Sequence, residues 1–209
     1  RNCIIPSFLH KLDELCDSFN VCERLMTIFS ADPERYIYDS IKFGYIRDWE
    51  TLLPDDVKRG LGDTKALEER QIWNASTQNN IGLPRETWRD TITRFKKCDD
   101  IISRLTTSFN IDDIITANIN GRQLAQDLIS TCESEKELHQ IYDILSSLSI
   151  LDPACGSGAF LFAAMNILEA LYEECAIRMM HFHDSIPSLF NEELQDIGFS
   201  SKYFDFNLC

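Results

Sequence analysis

Apolar side chains recur along most of this chain at intervals of three and four residues, the spacing of one buried helix face. Over residues 6–29 they fall at Phe8, Leu9, Leu12, Leu15, Cys16 and Phe19, then at Leu25, Met26, Ile28 and Phe29. The first six fit one face, with Ser7 available as a cap. Asp32-Pro33-Glu34 reads as a fresh helix start, with Asp at the cap and Pro in the first turn, and Gly44 reads as its stop. A second helix is therefore expected over residues 33–43. From residue 45 to 84 the periodicity fades, and over 73–84 Asn, Gln, Ser, Thr and Gly take over, so the segment is expected to be a long loop at the surface, interrupted by a short helix near 55–61. A connection of that length is unusual in a compact domain, and packing against portions of the protein outside the chain would account for it.

Helical spacing resumes over residues 85–109, where Trp88, Ile92, Phe95, Ile102 and Leu105 alternate with charges. Asn110-Ile111-Asp112-Asp113 opens a short helix, and residues 120–131 form a further one. Ser134 with Glu137 three residues on predicts a capping box for a helix over 135–146. Only then does the pattern change. Residues 147–151 read as a short buried strand, which Asp152-Pro153 ends, and Gly156 and Gly158 make a tight turn. Residues 159–180 return to helical period with a nearly continuous apolar opening, Phe160-Leu161-Phe162-Ala163-Ala164-Met165, as expected of a helix packed on a parallel sheet. Residues 203–208 are a possible second strand.

Composition narrows this picture. With 44% hydrophobic residues among 209, the chain can bury a sizeable core. A formal net charge of -14 argues against this chain being the surface that grips a phosphate backbone. The eight cysteines include no Cys-x-x-Cys pair and no Cys/His ligand spacing, so reduced thiols in a cytoplasmic protein are expected. No run of about 18 apolar residues and no signal-peptide pattern occurs. The first residue is Arg rather than Met, as in a fragment.

The strand-turn-helix around Gly156 and Gly158 is where chemistry is expected, since a glycine turn lets backbone N–H groups approach a nucleotide-type cofactor. Ala159-Phe160-Leu161 follow the last Gly, without the Lys of a phosphate loop. Leu161 stands where the dinucleotide fingerprint wants a third Gly, and Gly156-Ser157-Gly158 lacks the spacing of a nucleophile elbow. Cys155 has no His base near it in sequence and is expected to pack rather than react. His181-Phe182-His183-Asp184 is expected to be a helix end rather than a metal site, because a spacing of two splits the imidazoles between helix faces. Trp88-Arg89, Arg94 and Lys96-Lys97 concentrate basic and aromatic residues, either facing DNA or forming the charged outside of an amphipathic helix.

The ten residues Asp-Pro-Ala-Cys-Gly-Ser-Gly-Ala-Phe-Leu at 152–161 resemble motif I of S-adenosylmethionine-dependent adenine-N6 DNA methyltransferases. Segments 32–39, 83–89 and 118–128 resemble the helical region that precedes this motif in large fused methylases of restriction-modification and BREX-type phage-defence systems, and the likeness runs to about residue 182. It implies a mostly α-helical N-terminal region (1–109) leading into the first β-strand and helix (110–209) of an incomplete α/β, Rossmann-like methyltransferase domain. It further implies an S-adenosylmethionine site lined by Asp152, Pro153, Ala154, Cys155, Gly156, Ser157 and Gly158, with Asp152 favouring the cofactor's positive end. The 116–123 stretch, through Thr116 and Asn118, is the implied upstream contributor. Double-stranded DNA would be bound by parts of the parent protein outside the chain, with which this chain would associate. The family's acidic strand end and its catalytic Asn/Asp-Pro-Pro-Tyr/Phe motif do not occur in these 209 residues, so the chain itself is expected to be inactive. Two other readings stand beside this one: a non-catalytic S-adenosylmethionine-binding module, and a helical interaction domain whose glycine turn is structural.

Overall fold

A computed structural model describes residues 3–16, 19–62 and 69–185. Ten α-helices follow one another there: α1 (Ile4–Leu15), α2 (Val21–Ala31), α3 (Pro33–Tyr36), α4 (Asp39–Lys42), α5 (Asp55–Gly62), α6 (Trp88–Thr107), α7 (Asp113–Thr116), α8 (Gly121–Ser130), α9 (Glu135–Ser147) and α10 (Ala159–Ser185). Two 3-10 segments, Trp49–Leu52 and Glu69–Asn74, complete the described set. The helices share one core that runs from Ile5 to Met179. Helix α8 packs on α1, α2, α3 and α10, α1 also lies against α9, and α10 lies across α8 and α9.

Local chemistry decides where the elements break. The expected 6–29 run is two helices, because Asn20 adopts φ +43, a left-handed conformation that a helix cannot continue through. Ser7 lies inside α1, which starts at Ile4 with Pro6 in its first turn, and the Cys3 cap makes no side-chain bond. Pro33 does open α3, but Ile37 and Tyr38 are extended and divide the expected 33–43 helix into two short ones. Gly44 (φ +68) ends it as expected, and an added Cβ would collide with the Ile81 carbonyl. Helix α6 starts at a complete capping box: Thr87 and Asp90 each bind the other's backbone N–H. The box expected at Ser134 does not form. Ser134 makes no side-chain cap, and Glu137 is drawn instead into a two-bond pair with Arg24 (2.7 and 3.2 Å).

The expected surface loop at 45–84 is bound to the core through its described residues, 45–62 and 69–84. Tyr45, Trp49, Leu53, Val57 and Ile81 are buried. Asp99 on α6 accepts from the Tyr45 hydroxyl (2.6 Å) and the Trp49 indole N–H (2.7 Å). Arg94, also on α6 and itself buried, binds both oxygens of Glu86 at 2.8 Å, the carbonyls of Ile81 (3.0 Å) and Ile41 (3.1 Å), and that of Phe43. One guanidinium thus satisfies carbonyls that the irregular chain could not pair by itself. The basic and aromatic concentration on α6 is divided accordingly: Trp88 and Arg94 are buried, whereas Arg89, Lys96 and Lys97 face solvent.

The expected strand is not formed among the described residues. Ser147 is still helical, residues 148–150 carry no strand assignment, and no strand is present among the described residues to pair with them. Leu148 has extended dihedrals (φ -70, ψ 123), but a strand exists only through a neighbour. The possible strand at 203–208 lies outside the described residues.

Arg94→Met should lower unfolding free energy by about 3 kcal/mol, because it strands the Glu86 carboxylate and three carbonyls; the denaturant midpoint reads the loss. Arg94 also holds the Glu86 carboxyl below its ordinary value. Its contribution is therefore present above the unfolded-state pKa of about 4.3 and is lost as pH falls through the lower folded value. Glu86→Gln should flatten the acid limb of the stability profile, and an unchanged limb would refute that assignment.

Candidate cofactor loop

The chain from 148 to 158 leaves α9 and turns into α10 through an Asx turn and two left-handed glycines. Asp152 Oδ1 accepts the Ala154 N–H at 3.0 Å, which shapes the Asp-Pro-Ala corner. The Gly158 N–H then closes on the Cys155 carbonyl at 2.7 Å, and Phe162 N–H on the Gly158 carbonyl at 2.9 Å, the first bond of α10. Gly156 has φ +50 and Gly158 φ +75, conformations that L side chains adopt only at a cost. An added Cβ at either would meet nothing closer than 3.5 Å. Backbone shape, then, and not crowding, is what requires glycine here. The result is a compact turn whose Gly156 and Ser157 N–H groups have no partner among the described residues.

Pro153, Ala154, Cys155, Gly156 and Ser157 are exposed, and Asp152 and Gly158 half-buried. Cys155 therefore does not pack as expected, for the turn carries its side chain to the outside. The apolar flanks are uncovered as well. Leu151 is 86% exposed, Phe160 52%, Phe162 63% and Met165 61%. Farther along α10, Leu171, Cys175, Ala176 and Met179 are fully buried. The helix is thus apolar all round where it leaves the loop but packed on one side only.

Thr116 ends α7 and Asn118 lies on the turn from α7 to α8, and three contacts place that turn relative to the loop. Gln126 Nε2 on α8 donates to the Ala170 carbonyl (3.3 Å), and Arg178 Nε donates to the Cys132 carbonyl just past α8 (2.7 Å). The two helices therefore run parallel. The Tyr142 and Tyr172 rings meet edge-on at 6.0 Å, so α9 returns antiparallel to α10. Both the 116–120 turn and the 148–158 loop consequently lie at the N-terminal end of α10. Asn118 is left-handed at φ +53 and exposed, while the Thr116 hydroxyl stays with Asp113 of its own helix (3.3 Å). No hydrogen bond joins the two segments among the described residues. Asn120 caps α8 by accepting the Gln123 N–H (3.4 Å), and Gly121 is required because an added Cβ would collide with Ile114. The sequence pattern held a sign of both, an Asn-Gly pair at a helix start.

Other candidate sites do not develop. No group of three or more potential metal ligands occurs among the described residues. An open cavity of about 520 Å³, lined by Phe19, Arg24, Thr27 and Thr131, lies by the α8–α9 turn, at the far end of α10 from the loop. Its Arg24 is committed to Glu137 and to the Phe19 ring face. Among the described residues no helix is long and apolar enough to cross a membrane.

The loop thus presents two open backbone N–H groups at the start of a long helix whose first apolar side chains are exposed. Residues 128–197, which include the loop, α9 and α10, match the family described as MmeI, DNA-methyltransferase domain. That match supports a relationship of this part of the chain to methyltransferases of restriction-modification systems. No curated protein and no solved structure matches the chain.

Gly156→Ala and Gly158→Ala should each destabilise the entry into α10 by about 1 kcal/mol through backbone strain alone. Faster amide exchange at 159–164, with α1 and α8 unchanged, is the expected signature.

Proposed function

We propose that this chain supplies the S-adenosylmethionine-binding loop of a site-specific DNA adenine-N6 methyltransferase acting in restriction-modification or phage defence, in the cytoplasm. The observation that carries the reading is a coincidence of position: the segment similar to a methyltransferase domain contains a turn with two left-handed glycines, Gly156 and Gly158, on either side of Ser157, and open N–H groups. In this reading Asp152, Pro153, Ala154, Cys155, Gly156, Ser157 and Gly158 wrap the cofactor, and the 116–120 turn closes the pocket from the side through Thr116 and Asn118. The Gly156 and Ser157 N–H groups and the positive end of α10 face its polar atoms. The second Asp152 oxygen favours the sulfonium and ammonium.

Methyl transfer to adenine also needs acceptors for the amino protons and an aromatic ring on a flipped base, so that the nitrogen lone pair attacks in line. No Asn/Asp-Pro-Pro-Tyr/Phe sequence occurs among the 209 residues. A further portion of the methyltransferase would carry it, cover Leu151, Phe160, Phe162 and Met165, and hold the duplex, for which a chain of net charge -14 is poorly suited.

Titration calorimetry of the chain with S-adenosylmethionine should give heat of binding, weakened by Gly158→Val; absence of heat from the unaltered chain would sink the cofactor reading. A radiolabelled methyl donor with duplex DNA should show no transfer by the chain alone. Measurable turnover would overturn the assignment of catalysis to residues outside it.

A further inference from the structure

Arg122 is the only Lys or Arg among residues 113–135 and 137–177, a stretch that holds both segments of the proposed site and most of α8, α9 and α10. It is exposed and, among the described residues, pairs with no acid. Arg104 approaches the same region from α6, but Asp113 takes it at 3.7 Å. In a chain with 34 acidic residues, an arginine without an acidic partner at the open end of a helix pair needs an account.

Its placement supplies one. Arg122 is four residues before Gln126 on α8 and so shares its face, the face that donates to the Ala170 carbonyl of α10. With the two helices parallel, Arg122 stands one turn nearer the loop, and helical side chains lean toward their own N-terminus, which is the same direction. By helix rise, the Arg122 backbone lies about 10 Å along α10 from Ala159. An extended arginine and the amino-acid tail of a bound cofactor together span that distance.

We propose that Arg122 binds the methionine carboxylate of S-adenosylmethionine through charge-assisted hydrogen bonds. The inference rests on the cofactor reading of the loop and deepens it. That ligand carries two cationic groups and one carboxylate. The acidic field of the chain and Asp152 favour the cations, while the register of α8 on α10 turns Arg122 toward the loop, where a carboxylate gains a positive partner beside the open N–H groups. A guanidinium fork matches a carboxylate in two parallel bonds, which an ammonium cannot reproduce.

The test compares two ligands by calorimetry: S-adenosylmethionine, and methylthioadenosine, which lacks the amino-acid tail. Arg122→Gln should weaken the first about tenfold or more and leave the second unchanged, with Arg122→Lys intermediate. Equal weakening of both would make Arg122 a structural residue. Unchanged binding of both would leave it for another anion, such as a DNA phosphate, and overturn the proposal. If the unaltered chain binds neither ligand, the cofactor reading falls first and this inference falls with it.

Discussion

Everything near the loop depends on how helix α8 is held. Leu124, Ala125, Leu128 and Ile129 are fully buried, and the helix touches α1, α2, α3 and α10. Its outer edge is tied too: Asp127 receives two bonds from Arg35 (2.7 and 2.9 Å), one from the Tyr36 hydroxyl (2.7 Å) and one from Gln123 (3.0 Å). The Asn120 N–H meanwhile binds the Tyr36 carbonyl at 2.8 Å. A helix of ten residues is marginal in isolation, and this one exists because it is packed. Since α10 lies along it, the position of the glycine turn is inherited from residues more than a hundred positions earlier in the chain.

The N-terminal helices thus have a definite task. Arg94 gathers the irregular 41–86 region onto α6, α6 packs on α2, α2 packs on α8, and α8 sets α10. Among the described residues, a helical body with one shared core presents the 148–158 loop at its edge. Loops that carry function on such bodies are positioned by their supports rather than by their own contacts. The loop here matches that description, since its internal bonds are few and its residues largely exposed.

Much of this was legible in the residues. The periods of α6, α8 and α9 are strong, and their bounds fall within a few positions of expectation, because each buries one continuous apolar face; α10 was marked by its apolar content after the glycine turn instead. The glycine turn was legible too, as Gly156 and Gly158 have the conformations that only glycine takes freely. The 45–84 region was not. It is held by Arg94 and Asp99 reaching backbone carbonyls, a hydroxyl and an indole, and such bonds leave no period in a sequence. Ser134 with Glu137 misled for a related reason: a local capping pattern lost its carboxylate to Arg24, which lies 113 positions away. The strand before Asp152 depends on a neighbour that no described residue provides. The ligand proposed for the loop rests on motif resemblance and a domain match, for neither composition nor packing specifies it.

The uncovered start of α10 has a colloidal consequence. Phe160, Phe162, Met165 and Leu151 place greasy area on the outside of a molecule that carries fourteen net negative charges. In dilute buffer, like-charge repulsion keeps copies apart despite that area. At about 0.15 M salt the field decays within about 8 Å, comparable to the depth of a side-chain layer, and the attraction between exposed rings goes unopposed. The same acidity that disfavours a grip on DNA therefore acts as the chain's solubilising coat, one that ionic strength can strip away.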